Sequence, residues 1–181
     1  LYFIFGGGLL IATFVDLEWM EIPDEVSLPC AAIGLLSAPF RLEPGLWSAA
    51  VGAGAGYLSV QLVFVWGYEA LTGRRGMGEG DSKLMMMIGA FLGWKGALFS
   101  IVAGSMQGLV FAAFALVTGR RLTPTIEERV IDGELIEAPE PPDANRVGLL
   151  KLPFGPFLAL GALEYLLAGD AILSWYLRLL R

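Results

Sequence analysis

Long apolar segments set the fold class of this chain, because a membrane-spanning helix needs about 20 predominantly apolar residues. The chain has 181 residues, of which 56% are hydrophobic, and its mean hydropathy is +0.66. A soluble domain would be considerably more polar. We therefore predict an all-α, polytopic membrane helix bundle, with residues 1–181 forming a single membrane-embedded domain.

The apolar pattern predicts six helical segments, at residues 1–15, 26–40, 46–71, 84–92, 97–117 and 154–180. The fourth is too short to span a bilayer alone, and a break at residues 93–96 separates it from the fifth. Residues 169–170 are a candidate interruption of the sixth. Glycines spaced four residues apart predict close helix packing: Gly52 with Gly56, Gly89 with Gly93, and Gly104 with Gly108.

A polar stretch at residues 118–152 separates the fifth and sixth segments, and we predict that it forms a cytoplasmic loop. Residues 129–136 alternate around Asp132-Gly133, which is a β-hairpin signal. Plain disorder is the alternative. The acidic side chains of this stretch are expected to be solvated loop charges.

The basic residues predict the orientation of the chain in the membrane, because cytoplasmic loops carry an excess of lysine and arginine. If the loop after Asp16 is cytoplasmic, eight basic residues share its side: Arg74, Arg75, Lys83, Arg120, Arg121, Arg129, Arg146 and Lys151. Four lie on the other side: Arg41, Lys95, Arg178 and Arg181. The bias predicts a multi-pass protein whose Asp16 and Asp81 both face the cytoplasm.

These two aspartates each stand at the boundary of an apolar run. A carboxylate beside hydrocarbon is costly and by default indicates a functional site. The chain has no histidine and a single cysteine, Cys30, which excludes histidine-dependent nucleophilic catalysis, an intrachain disulfide and a cysteine-cluster metal site. No basic tract suggests a nucleic-acid partner. Carboxylate chemistry is the main option that remains.

Two carboxylates within about 3 Å of each other share a proton. The ionised one can take a proton from water, and the protonated one can polarise a carbonyl and later protonate the leaving amine. This suffices for peptide hydrolysis without a metal or a cofactor. The alternatives are that Asp16 is a polar residue at a helix end and that Asp81 is a helix N-cap.

Three motifs extend this interpretation. Residues 16–24 match Asp-x5-(Ile/Leu)-Pro-(Asp/Asn), residues 78–84 match Gly-x-Gly-Asp-x-Lys-Leu, and residues 153–156 read Pro-Phe-Gly-Pro. Together, and in this order, they resemble the signatures of type IV prepilin leader peptidases, over essentially the whole chain. Gly155 and Pro156 are expected to shape a break or turn near the site.

The resemblance implies an intramembrane-type aspartyl peptidase of the Gly-x-Gly-Asp class in the bacterial cytoplasmic membrane. Its catalytic aspartates map onto Asp16 and Asp81. The family's substrates are prepilins and pseudopilins of type IV pili and type II secretion, cut on the cytoplasmic side after a glycine. Peptidase activity is expected to need no cofactor, and the partners to be these substrates and the lipid bilayer.

Neighbouring residues are expected to shape the site or bind substrate. Gly78 and Gly80 would allow backbone approaches that a Cβ would block. Pro23 would set the turn into the second helix, and Asp24 would cap that helix. Lys83 would either snorkel towards lipid headgroups or tune the aspartates or hold substrate.

The cysteine content departs from many bacterial members of the family. Those members also methylate the new N-terminus with S-adenosylmethionine, and they carry two Cys-x-x-Cys pairs in a cytoplasmic domain near the N-terminus. This chain has neither pair. We expect either a fragment that lacks an upstream part or a short peptidase-only member. S-adenosylmethionine is therefore expected only if the full-length protein is bifunctional.

Two other function classes compete with the peptidase. A proton-coupled transporter could use Asp16 and Asp81 as a relay, although transporters usually carry such acids near the bilayer midplane. A structural membrane subunit with incidental motifs is the third hypothesis.

Overall fold

The computed structural model describes residues 1–67, 70, 79–118, 129–131, 134–136 and 153–179. The predicted all-α character is confirmed, with a short β-hairpin as the exception. The helices are α1 (Tyr2–Trp19), α2 (Asp24–Ser37), α3 (Leu46–Ser59), α4 (Glu79–Val117) and α5 (Gly155–Leu179). A 3₁₀ turn (Ala38–Phe40) follows α2, and a π-helical segment (Val60–Gly67) follows α3.

The chain forms two compact units. The first comprises Leu1–Gly108 and Pro153–Arg181, and the second comprises Leu109–Leu152. In the second unit, β1 (Arg129–Ile131) and β2 (Glu134–Ile136) pair in antiparallel register, with Val130 opposite Leu135. The strands lie where the alternating pattern predicts a hairpin. Most of the polar stretch lies outside the described residues.

Helix α1 extends four residues beyond its predicted end, so Asp16 lies in its last turn rather than after it. Met20 adopts the left-handed conformation (φ 54°), and its N–H donates to the carbonyl of Asp16. This arrangement satisfies a backbone oxygen at the helix end and reverses the chain direction. The turn leads through Pro23 into α2.

The predicted fourth and fifth segments form one long element, α4, which is kinked at Gly93. Gly93 has φ 73° and ψ −177°, a conformation that side chains with a Cβ rarely adopt, so the predicted break is confirmed. The predicted interruption at residues 169–170 is wrong, because α5 is continuous there. The ring of Tyr165 packs against Gly169, where an added Cβ would lie 2.9 Å from Cδ2 of Tyr165.

Two of the described helices are long and apolar enough to cross a membrane, at Tyr2–Trp19 and Glu79–Ala115. The six-segment topology and the single-domain organisation stay predictions. The exposed side chains on these helices are largely apolar, as expected for helices that face lipid.

Close backbone packing joins α3 to α4. A Cβ added to Gly52 would lie 2.5 Å from the carbonyl carbon of Gly93, and one added to Gly89 would overlap the carbonyl of Gly52. A Cβ on Gly56 would lie 2.7 Å from the carbonyl oxygen of Met85. The four-residue glycine spacing thus predicts this interface correctly. Gly104 packs against the backbone of α5, where an added Cβ would lie 3.1 Å from the carbonyl of Phe157.

Candidate active site

The packing of α1 against α4 brings Asp16 and Asp81 to the same end of the bundle. The rings of Phe5 and Phe91 stack with their centroids 4.8 Å apart. From this contact, Asp16 lies eleven residues forward along α1 and Asp81 lies ten residues back along α4. At 1.5 Å per residue, both carboxylates are about 15–17 Å along their helices from the stacked rings. A Cβ added to Gly8 would lie 3.4 Å from Sδ of Met87, so contacts run forward along α1 and back along α4. The two helices are therefore antiparallel, and these displacements point the same way.

Asp16 is buried, with 6% of its surface exposed. Its Oδ2 accepts a 2.9 Å hydrogen bond from the backbone N–H of Gly155, the first residue of α5. The first turn of a helix has N–H groups without intrahelical partners and a partial positive charge. This contact offsets part of the cost of burying the carboxylate. The same hydrogen bond puts the Pro-Phe-Gly-Pro segment in direct contact with Asp16.

Ile22 connects the two halves of the site. Its side chain is 8% exposed, and its Cδ1 would lie 3.2 Å from a Cβ added to Gly155. Its Cβ would lie 2.8 Å from a Cβ added to Gly80. The residue that binds Asp16 and the residue that precedes Asp81 thus pack against one side chain. Gly80 makes the close approach expected of it, and Gly78 lies outside the described residues.

Asp81 lies in the first turn of α4 and is 7% exposed. It is therefore a buried residue inside the helix rather than the N-cap that one alternative proposed. The next residue, Ser82, is completely buried, and its hydroxyl donates a 3.0 Å hydrogen bond to Oε1 of Gln61. Gln61 belongs to the π-helical segment, and it is not among the site residues predicted from the sequence. A single amide in the apolar run at residues 60–66 is the signal that could have indicated it.

Lys83 and Asp24 form an ion pair. The ammonium nitrogen of Lys83 donates to both oxygens of Asp24, at 2.6 and 2.5 Å. The predicted capping role of Asp24 is wrong, because Asp24 is the first residue of α2 and the N-cap position belongs to Pro23, without a side-chain cap. Pro23 is extended (φ −68°, ψ 128°), which fits its expected place in the turn. The pair links the start of α2 to the start of α4.

Acidic and cysteine side chains do not cluster in a way that suggests a metal centre. In the part of the chain that the structure describes, no group of three or more such side chains could hold a metal ion. This end of the bundle brings together two buried carboxylates, those of Asp16 and Asp81, and the backbone N–H of Gly155.

The family comparison decides the classification of the chain. The model of the type IV leader peptidase family matches residues 3–113, a range that includes both aspartates. The chain belongs to the type IV leader peptidase family. The membership confirms the resemblance drawn from the three motifs, and with the apolar helices it identifies an integral membrane protein.

Individual relatives extend the similarity to nearly the whole chain. A prepilin leader peptidase/N-methyltransferase of Aeromonas salmonicida is 35% identical over 93% of this chain and 49% of its own length. Those of Stutzerimonas stutzeri and Pseudomonas aeruginosa are 32% and 34% identical over 96% and 94% of this chain, respectively. The chain spans about half the length of the curated relatives it matches. No solved structure matches it.

Proposed function

We propose that this chain is the peptidase part of a prepilin leader peptidase. Its reaction is hydrolysis of the peptide bond that follows a glycine at the end of the leader of type IV prepilins and pseudopilins. The observation that carries the proposal is the position of two buried carboxylates, Asp16 and Asp81, at one end of the bundle. The names of the relatives support the substrate class.

In the proposed mechanism, Asp16 and Asp81 share one proton in the resting enzyme. The ionised carboxylate takes a proton from the attacking water, while the protonated one donates a hydrogen bond to the scissile carbonyl. The water oxygen bonds to the carbonyl carbon, and the C–N bond then breaks as a proton passes from the pair to the leaving amine. The proton taken from water leaves the pair with one shared proton, as before. The two titrations belong to the pair, so neither role is assigned to one aspartate alone.

The surroundings of Asp16 fix one oxygen of its carboxylate, which suits either role within the pair. Oδ2 accepts the hydrogen bond from Gly155. Within the described part of the chain, the structure gives the Asp16 side chain no other hydrogen bond, so Oδ1 remains available to a water molecule. Fixing one oxygen to a helix N-terminus orients the other, which is how positioning contributes to catalysis.

The proposed orientation places this end of the bundle at the cytoplasmic face of a bacterial inner membrane, in a multi-pass topology of six segments. The excess of basic residues on the same side as Asp16 supports it. Gly80, Lys83, Pro23 and Asp24 are proposed to shape the site, together with Gly78. Use of S-adenosylmethionine is proposed only for a bifunctional full-length protein.

The test is cleavage of a purified prepilin by this chain in liposomes, with both products identified by mass spectrometry. The expected products separate after the glycine that precedes the apolar segment of the substrate. Replacing that glycine with a bulky residue should abolish cleavage. Proton flux across the liposome membrane in the absence of any cleavage would instead support the transporter and contradict the proposal.

A further inference from the structure

A second concave site lies at the opposite end of the bundle from Asp16. It is a cavity of about 640 Å³, which falls within the size range of small-molecule sites. Its walls combine charged, aromatic and hydroxyl side chains with backbone from the ends of several elements. The residues that matter here are Tyr2, Glu43, Ser48, Trp94, Lys95 and Tyr165.

The distance between this cavity and the candidate active site can be measured along three helices, α1, α4 and α5. Tyr2 precedes Asp16 by fourteen residues of α1, and Lys95 follows Asp81 by fourteen residues of α4. Tyr165 follows Gly155, which binds Asp16, by ten residues of α5. At 1.5 Å per residue these separations are about 15–21 Å. The cavity therefore lies at the opposite end of the bundle from Asp16 and takes no part in the proposed hydrolysis.

Among the side chains that the structure describes, the cavity offers a ligand one cation, Lys95, and one anion, Glu43. Lys95 and Glu43 are both exposed, and neither has an ion-pair partner among the residues that the structure describes. Lys95 lies over the ring of Trp94, with its ammonium nitrogen 5.9 Å from the centroid. The first turn of α3 also lines the cavity, at Ser48, and adds N–H groups that favour an anion.

Arg41 anchors the loop that carries Glu43. Its guanidinium donates hydrogen bonds to the carbonyls of Phe91 (2.8 Å), Ala90 (2.9 Å) and Gly34 (2.6 Å). These bonds fix the loop between the 3₁₀ turn and α3 against the part of α4 that precedes the kink. The cavity is thus built before any ligand binds, which reduces the ordering cost of binding.

We propose that this cavity binds the headgroup of a zwitterionic phospholipid that carries a primary ammonium group. Lys95 and the first turn of α3 would bind the phosphate, and Glu43 would accept hydrogen bonds from the ammonium. The aromatic residues suit the membrane interface, where Trp and Tyr are enriched. A purely anionic headgroup would leave Glu43 without a partner, and a trimethylammonium group could not donate to it.

The test is native mass spectrometry of the delipidated protein in detergent. Phosphatidylethanolamine, phosphatidylglycerol and phosphatidylcholine with identical acyl chains are titrated separately. Phosphatidylethanolamine should bind about tenfold more tightly than the other two. Only its ammonium group can donate a hydrogen bond to Glu43, and one hydrogen bond to a charged group changes Kd by about tenfold. Lys95→Gln should weaken binding of phosphatidylethanolamine about tenfold. Glu43→Gln should remove the preference over phosphatidylglycerol.

Matched controls come from charged residues outside the cavity. Arg178→Gln removes an exposed cation of α5, and Glu25→Gln removes an exposed anion of α2; both should bind lipid as the parent chain does. Equal binding of the three lipids, unchanged in Lys95→Gln, would overturn the proposal. So would saturation by phosphorylethanolamine without acyl chains at the same concentration, since the ligand would then be a soluble phosphate ester. Prepilin cleavage is not read in this experiment, so its outcome is independent of the peptidase proposal.

Discussion

The backbone N–H of Gly155 donates a hydrogen bond to Oδ2 of Asp16 across 139 residues of sequence. This contact joins the first turn of α5 to the last turn of α1. It depends on the absence of a side chain at Gly155, because an added Cβ would lie 2.6 Å from Oδ2 of Asp16. The glycine of the Pro-Phe-Gly-Pro segment therefore has a steric reason to stand at the start of α5.

Gly155→Ala should lower the rate of prepilin cleavage by about 100-fold. The added Cβ would push the Asp16 carboxylate aside, and a misplacement of about 1 Å at a reacting group lowers a rate by about that factor. The control is Gly7→Ala in α1, where an added Cβ meets nothing within 4 Å. Cleavage rates and thermal unfolding are measured for both variants. A folded Gly155→Ala protein that cleaves at the parental rate would contradict the positioning role given to the hydrogen bond between Gly155 and Asp16.

Gly89→Ala should destabilise the bundle by about 1–3 kcal/mol, the usual cost of overpacking. The added Cβ would overlap the carbonyl of Gly52, and backbone atoms cannot give way as a side-chain end can. Thermal unfolding in detergent measures the effect. Gly54→Ala on α3 meets open space and should leave stability unchanged or raise it slightly. Equal unfolding temperatures for the two variants would contradict the described α3–α4 contact.

Arg41→Lys should destabilise the protein by about 2 kcal/mol, because a lysine cannot reproduce the fork that reaches three carbonyls at once. The carbonyls of Ala90 and Phe91 would lose charge-assisted partners just before the kink at Gly93. Arg178→Lys, at an exposed position, is the matched control and should change little. The measurement is thermal unfolding, and equal shifts for the two substitutions would refute the role given to Arg41.

The Lys83–Asp24 pair should contribute at most about 1 kcal/mol to stability. Its side chains are 25% and 49% exposed, so water screens the attraction. A double-mutant cycle with Lys83→Gln, Asp24→Asn and the combined variant isolates the coupling energy. Cleavage rates for the same three proteins separate the roles considered for Lys83. If Lys83→Gln alone impairs cleavage while Asp24→Asn does not, Lys83 acts on the substrate or the aspartates rather than through the ion pair.

Much of the fold follows from local pattern. The apolar runs predict the helices, and the Gly-Trp-Lys-Gly sequence at residues 93–96 predicts a break, which the structure places at Gly93. The glycine spacings predict the close α3–α4 contact. The extension of α1 past Asp16 was not predicted, because it depends on the left-handed cap at Met20, and a methionine carries no sequence signal for that conformation.

The two aspartates of the candidate site could be predicted from the sequence, but the contacts that position them could not. Motif spacing identifies Asp16 and Asp81, whereas the hydrogen bond from Gly155 joins residues far apart in the chain and depends on tertiary packing. Ile22 is part of a motif, yet only the structure places it between Gly80 and Gly155. Asp24 was expected to cap a helix because of its position, but its carboxylate pairs with Lys83 from another helix, a contact that joins distant parts of the chain.

The most direct test of the account is the cleavage rate of Asp16→Asn and Asp81→Asn against Glu25→Gln, a carboxylate control exposed in the first turn of α2. Each protein is reconstituted in liposomes with the same prepilin, and folding is checked by thermal unfolding. The cleavage rate of each aspartate variant should fall by at least about 1,000-fold, since an asparagine side chain cannot exchange the proton that the mechanism requires. The control should cleave at the parental rate. Parental cleavage by either folded aspartate variant would contradict catalysis by the pair.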